Sequence, residues 1–243
     1  MNVERFDARK WPEEHLEALF AEGFPQFIVA DQDVKNLIGP VRDAFDRLDI
    51  VLVADGDLPV AAGWGVPIRW DGEKADLPGG YTDSLRRAVD LHSIGGMPDT
   101  LVICAGVVHP GRKGTGLARS LIGALVALAE REGLARVIAP LRPTLKHRYP
   151  LTSIDDYATW TRADGMPFDP WLRLHVRLGA QVLATAPRSQ TMTGSVADWE
   201  SWTGMAFPAT GTYVIPGGLS VLRIDRDRDR GVYVEPNIWV QHR

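Results

Sequence analysis

One cysteine in 243 residues, Cys104, excludes an internal disulfide and a cysteine-built metal centre. The six histidines are scattered without a His-x-x-x-His pair, so no metal site is expected. No apolar run approaches the roughly 18 residues that a membrane-spanning helix needs. The first residues, Met1 to Asp7, lack the cationic-then-apolar plan of a signal peptide. There is no long basic run, and the formal net charge is −4, which argues against nucleic acid or a membrane surface as an obligatory partner. The alternating tract Asp225 to Arg230 nearly cancels itself and reads as a solvated turn. These absences describe a soluble cytoplasmic protein. With 45% hydrophobic and 24% charged residues, the chain has enough apolar material for a full core.

The most informative stretch present is His109 to Ala118, H-P-G-R-K-G-T-G-L-A, between an apolar run and a strongly periodic helix. Glycines let a backbone approach oxygen atoms closely, and the first N–H groups of the helix lack intrahelical partners. The positive end of the helix dipole points the same way, so the pattern builds an anion site. Thr100 to Val108, T-L-V-I-C-A-G-V-V, is apolar throughout and predicts a strand covered on both faces. Gly106 within it suggests a bulge or a close backbone approach.

Around this centre, apolar spacing predicts helices over 11–22 and 33–47, the second carrying a Gly39-Pro40 kink signal. A hairpin follows over 50–68 about Asp55-Gly56-Asp57. A glycine- and proline-rich connection over 71–98 holds a helical patch from Thr82 to Leu91 and could serve as a lid. Leu117, Leu121, Leu125, Leu128 and Ala129 mark one apolar helix face, and Arg136 to Ala139 a short strand after it. The 140–168 segment is irregular, with one helix near Ile154 to Arg162, and a connection this long is usually functional. Asp169-Pro170 opens a helix ending near Gly179, and Gln181 to Thr185 forms a strand. Ser195 to Asp198 is a capping box for a helix to Thr203, and 219–224 with 232–240 form a closing hairpin.

This order of elements, and the loop above all, resembles the GCN5-related N-acetyltransferase (GNAT) family. The family's acyl-CoA motif is Gln or Arg, two residues, Gly, one residue, then Gly or Ala. Lys113-Gly114-Thr115-Gly116-Leu117-Ala118 fits it with lysine in the first slot. Leu174-His175-Val176-Arg177-Leu178-Gly179 resembles the family's late-helix pattern Leu-Tyr-x-Lys-Leu-Gly, with His175 in the frequent tyrosine position. The two matches cover roughly residues 48–186. They imply one α/β (α+β) domain over 1–243, with a mixed, mostly antiparallel sheet splayed at the fourth strand, flanked by helices, and an extra C-terminal helix and hairpin over about 187–243.

The resemblance implies transfer of an acyl group, most simply acetyl from acetyl-CoA, to the amine of a small molecule or peptide, with homodimer formation left open. Val107, Val108, His109, Lys113, Gly114, Thr115, Gly116, Leu117 and Ala118 would hold the acyl-CoA, the N–H of Val107 or a neighbour would polarise the thioester, and His175 would protonate the leaving thiolate. Thr100 to Val108 carries no carboxylate or histidine, so the base found on this strand in some members is missing. Asp156, Tyr157, Tyr149, His147 and Glu235 are candidates to take the amine proton. Lys146, His147, Arg148 and Tyr149, with Trp160 and Arg162, form a basic and aromatic knot that could hold an anion. Two rival readings share the loop: an acyl-CoA-binding module without catalysis, and an enzyme binding a nucleoside di- or triphosphate. The Walker pattern fails, because no Gly-Lys-Ser/Thr follows.

Overall fold

The computed structural model describes every residue except 21, 22 and 56. Nine strands form one sheet, and the strands run β1 (Asn2–Arg5), β2 (Asp49–Ala54), β3 (Leu58–Ile68), β4 (Thr100–Val108), β5 (Arg136–Leu141), β6 (Gln181–Gly194), β7 (Gly211–Tyr213), β8 (Leu222–Asp225) and β9 (Arg230–Gln241). Among the described residues seven α-helices connect them: α1 (Glu13–Phe20), α2 (Gln32–Phe45), α3 (Tyr81–Ser93), α4 (Leu117–Arg131), α5 (Ile154–Ala158), α6 (Pro170–Arg177) and α7 (Val196–Thr203). The spatial order is β1-β2-β3-β4-β5-β9-β8-β7, with β6 on the other edge of β9. β4 and β5, joined through α4, are the parallel pair, and the remaining ladders are antiparallel.

The helices form where the apolar period places them. α4 buries Leu121, Leu125, Leu128 and Ala129 of the expected stripe and Ile122 beside them, leaves Leu117 half-buried, and ends at Gly133, whose φ of +72° favours glycine. α2 is capped by Asp31, whose carboxylate accepts the N–H groups of Asp33 and Val34 at 3.0 and 3.2 Å. Pro40 does not break α2, because Gly39 and Pro40 lie on the exposed face, where the carbonyl freed by the missing donor meets water. Ser195 and Asp198 form the predicted capping box, and Asp169 caps α6. The end of the first expected helix, residues 21 and 22, and the middle of the expected turn, Gly56, lie outside the described residues.

Three differences from expectation concern reach. The strand from Gln181 runs to Gly194 and carries a bulge between Ala186 and Gln190. The helix near 154–162 stops at Ala158, after which the Phe168 N–H donates to the Trp160 carbonyl at 2.8 Å and folds the segment back. The tail is no appendage, since residues 238–241 of β9 sit between β5 and β6 at the centre of the sheet. Residues 231–233 of β9 lie between β6 and β8 and cover a second core of Phe27, Met192, Trp199, Phe207 and Tyr233.

Candidate active site

The sheet opens at β4. Thr100, Leu101 and Val102 pair with Arg136, Val137 and Ile138; beyond that point β5 pairs only with β9, and the two parallel strands part. A one-residue bulge sits at the parting: Trp64 of β3 faces Ala105, Gly65 faces Ile103, and Cys104 is the residue between. The bulge inverts the phase of the ladder. Before it, the Arg136 N–H donates to the Asp99 carbonyl at 3.1 Å, which turns the Leu101 N–H toward β5. After it, the His109 N–H donates to the Val60 carbonyl at 2.9 Å, so the N–H groups of Ala105 and Val107 also point to β3. Gly106 and Val108 are left with their N–H groups directed into the opening.

This phase decides between sequence alternatives. The bulge belongs to Cys104, and of the two roles expected for Gly106 the close approach holds: a Cβ there would stand 3.3 Å from Leu121 Cδ2 of α4. Across the ladder, Gly63 meets the same helix, with Leu125 Cδ1 3.1 Å from its notional Cβ. The Val107 N–H belongs to the β3 ladder, and its side chain packs with Leu19, Val51, Val53 and Ala62. Burial raises the Cys104 thiol pKa and keeps it protonated, so it is no nucleophile.

The opening leads to the glycine loop. His109 Nδ1 accepts the Gly111 N–H at 3.1 Å and starts a short 3₁₀ turn over Pro110–Arg112. Thr115 Oγ1 donates to the Arg112 carbonyl at 2.6 Å. Gly114 and Gly116 have φ of +81° and +87°, and no atom lies within 4 Å of where their Cβ atoms would project. Gly116 is the N-cap of α4 and offers no side-chain cap, so the first-turn N–H groups have no intrahelical partner. His109, Lys113, Gly114, Thr115, Gly116, Leu117 and Ala118 therefore stand together at the mouth of the opening.

Helices α1, α2 and α3 approach the other face of β3 and β4. A cavity of about 430 Å³ lies there, floored by Ala105 and Val107 and walled by Phe6, Phe24, Trp64, Asp46 and Asp49. The Arg42 guanidinium stacks on Trp64 at 4.6 Å and pairs with Asp49. Tyr81, at the start of α3, meets the Trp64 ring edge-on at 6.2 Å. The Tyr81 N–H donates to Ser189 Oγ at 2.8 Å, so α3 ties β3 to β6 across the opening. None of these cavity residues stands out in the sequence, because each reads as an ordinary apolar or charged surface position until the register brings them together.

His175 lies apart from the loop. It is 1% exposed, its Nδ1 is 2.7 Å from His242 Nε2, and Trp171 packs edge-on at 4.5 Å. His242 itself follows β9, its N–H bound to the Val137 carbonyl at 2.9 Å, the end of β5 remote from the opening. Burial first, then the neighbouring imidazole, pull the His175 pKa down to about 3, so the ring is neutral at physiological pH.

The other proton acceptors considered from sequence are mostly committed. Tyr157 is buried and donates to Asp169 at 2.9 Å, and Tyr149 packs against Trp160 and Phe168. Asp156 accepts from the cap Ser153 at 2.7 Å, and His147 Nδ1 sits 2.9 Å from the Thr144 carbonyl. Glu235 is fully buried in β9, paired with Arg142 at 2.5 Å and bound by the Tyr233 hydroxyl; burial raises its pKa. The basic and aromatic knot is dismantled: Lys146 is buried while Arg162 reaches Asp164 at 3.7 Å. Among the described residues no group of three His, Cys, Asp or Glu side chains is arranged to hold a metal.

No family model matches the chain. It is 31% identical over 222 residues, 83% of its length and 73% of the relative's, to a protein named arginine N-acetyltransferase avaD from Aspergillus versicolor. Its fold matches the loading GNATL domain of CurA from Lyngbya majuscula with a TM-score of 0.58 and 14% identity, covering 99% of this chain and 96% of that one. It also matches the GphF GNAT-like decarboxylase, solved with isobutyryl-CoA, with a TM-score of 0.56 and 20% identity over 100% and 98% of the two chains. With a relative this similar over most of its length, and with the parted strands and glycine loop in place, the chain belongs to the GCN5-related N-acetyltransferase family and is an acyl-CoA-dependent N-acyltransferase.

Proposed function

We propose that the protein acetylates a small cationic amine, arginine or a molecule bearing an arginine-like side chain, and that donor and acceptor meet at β4 from opposite sides. The carrying observation is the opening between β4 and β5, with the Gly106 and Val108 N–H groups facing it and the uncapped N-terminus of α4 at its mouth. The pyrophosphate of acetyl-CoA would take the first-turn N–H groups of α4, favoured by the helix dipole and by the charge of Lys113 and Arg112. The thioester carbonyl would accept from Gly106, a donor fixed by the β3 ladder before the charge on oxygen develops.

The acceptor would lie in the cavity floored by Ala105 and Val107. Asp46 with the rings of Phe6 and Phe24 suits a guanidinium, which carboxylates bind in a bidentate fashion and aromatic faces attract, beside Trp64 and Asp49, which already hold the Arg42 guanidinium. β4 supplies no base, so the amine proton would leave toward these carboxylates and the water of the open cavity. The relative's name, with arginine as its acceptor, agrees with this chemistry. We assign His175 a positioning role, holding α6 to the end of β9 through His242, because a neutral and buried imidazole is a poor acid for a thiolate.

Thiol release from acetyl-CoA with L-arginine and with an uncharged amine of equal length tests the acceptor. L-arginine should be favoured at least tenfold in kcat/KM, and Asp46→Asn with Trp64→Ala should erase the preference. Equal use of the two amines would overturn the assignment.

A further inference from the structure

A second cavity, of about 550 Å³, lies elsewhere, between the 146–155 segment, the bulge of β6 and the strands β8 and β9. No residue of β4 or of the glycine loop lines it. It is made by the long connection after β5, which lies between the two family-like motifs, and by the strands around the tail.

Its chemistry is two-sided. Leu151, Ile154, Val221 and Val234 give it an apolar body, while Lys146, Arg188 and Arg223 place three cations around it. Asp155 is the acid among the lining residues, and it accepts a bond from the Thr185 hydroxyl. Arg188 and Arg223 are exposed, and neither side chain has a partner among the described residues.

Lys146 is the telling member. It is 1% exposed, and its Nζ donates to two neutral carbonyls, those of Tyr149 and Leu219, each at 2.7 Å. An ammonium has three protons to donate, so one is uncommitted. The Tyr157 ring lies 5.8 Å from Nζ, and Glu235, a buried acid that acts on Lys146, is engaged by Arg142 and Tyr233. A buried cation held only by neutral groups is costly unless an anion completes its shell. Burial lowers its pKa to about 8, which leaves it protonated at neutral pH.

We propose that this cavity binds a small molecule with an apolar body and a carboxylate head, the head received by Lys146 and the two arginines. The site is independent of the acetyl-CoA opening, and both can be filled together.

Calorimetry on the full chain with 4-phenylbutyrate and its uncharged amide tests the proposal. The carboxylate should bind at one site, at least tenfold more tightly than the amide, and saturating acetyl-CoA should leave that affinity unchanged. Lys146→Met should abolish binding. Because that variant alters a buried position, the exposed pair Arg188→Ala with Arg223→Ala provides a second reading, and it should weaken binding at least tenfold without shifting the melting temperature. Absence of saturable binding, equal affinity for acid and amide, indifference to the arginine pair, or displacement by acetyl-CoA would each overturn it.

Discussion

Gly114 and Gly116 show what one residue contributes to the donor site. Both occupy the left-handed region beside open space, so a side chain at either adds backbone strain of about 1 kcal/mol and fills room intended for a ligand. Gly116→Glu, which adds charge against the pyrophosphate, should weaken acetyl-CoA binding by at least a hundredfold. Gly133→Glu is the control, since it has the same kind of backbone at φ +72° and the same open surroundings, but at the far end of α4. Comparable acetyl-CoA affinity in the two variants, read by calorimetry, would remove the loop from the donor site. These glycines were legible in the sequence because the need for them is local. His175 was legible as a position but not as a role, since its environment comes from His242, 67 residues away.

At the scale of an element, β4 and α3 decide the shape of the opening. Gly106→Pro removes the N–H that faces the opening and should lower kcat by about 100-fold, the effect of losing one preorganised donor, with acetyl-CoA still bound. If kcat survives, the donor lies elsewhere on the strand. Gly80 precedes α3 with φ +153°, and a Cβ there would stand 2.2 Å from the Ser189 Cα. Gly80→Ala should therefore destabilise the fold by about 3 kcal/mol in urea unfolding, because the contact is backbone and cannot yield. The apolar run and the helix after β4 could be read from periodicity alone. The bulge could not: which residue is left over depends on the register with β3, a long-range property that no single strand displays.

For the whole molecule, a buried imidazole and its half-buried partner couple folding to pH. His175 and His242 both have native pKa values below the ordinary 6.5, that of His175 at about 3, through burial. Above pH 6.5 the pair contributes no pH dependence. As pH falls from 6.5 toward 3 the unfolded chain binds protons that the native one refuses, and stability is lost. His175→Phe should flatten the fall in melting temperature between pH 7 and 5 relative to the parent chain, and an unchanged slope would argue against the imidazole pair. The sheet around them carries a different burden. A strand that leaves its neighbour exposes two rows of backbone groups, and Cys104, the residue that shifts the count, determines which of them β4 presents. On the proposed donor site, the amides of a bound acyl-CoA would meet that row of backbone groups. Deleting Cys104 restores an unbroken count, lets β5 close on β4 as a zipper does once its odd tooth is gone, and should yield a protein that melts higher without ligand and no longer gains stability from acetyl-CoA.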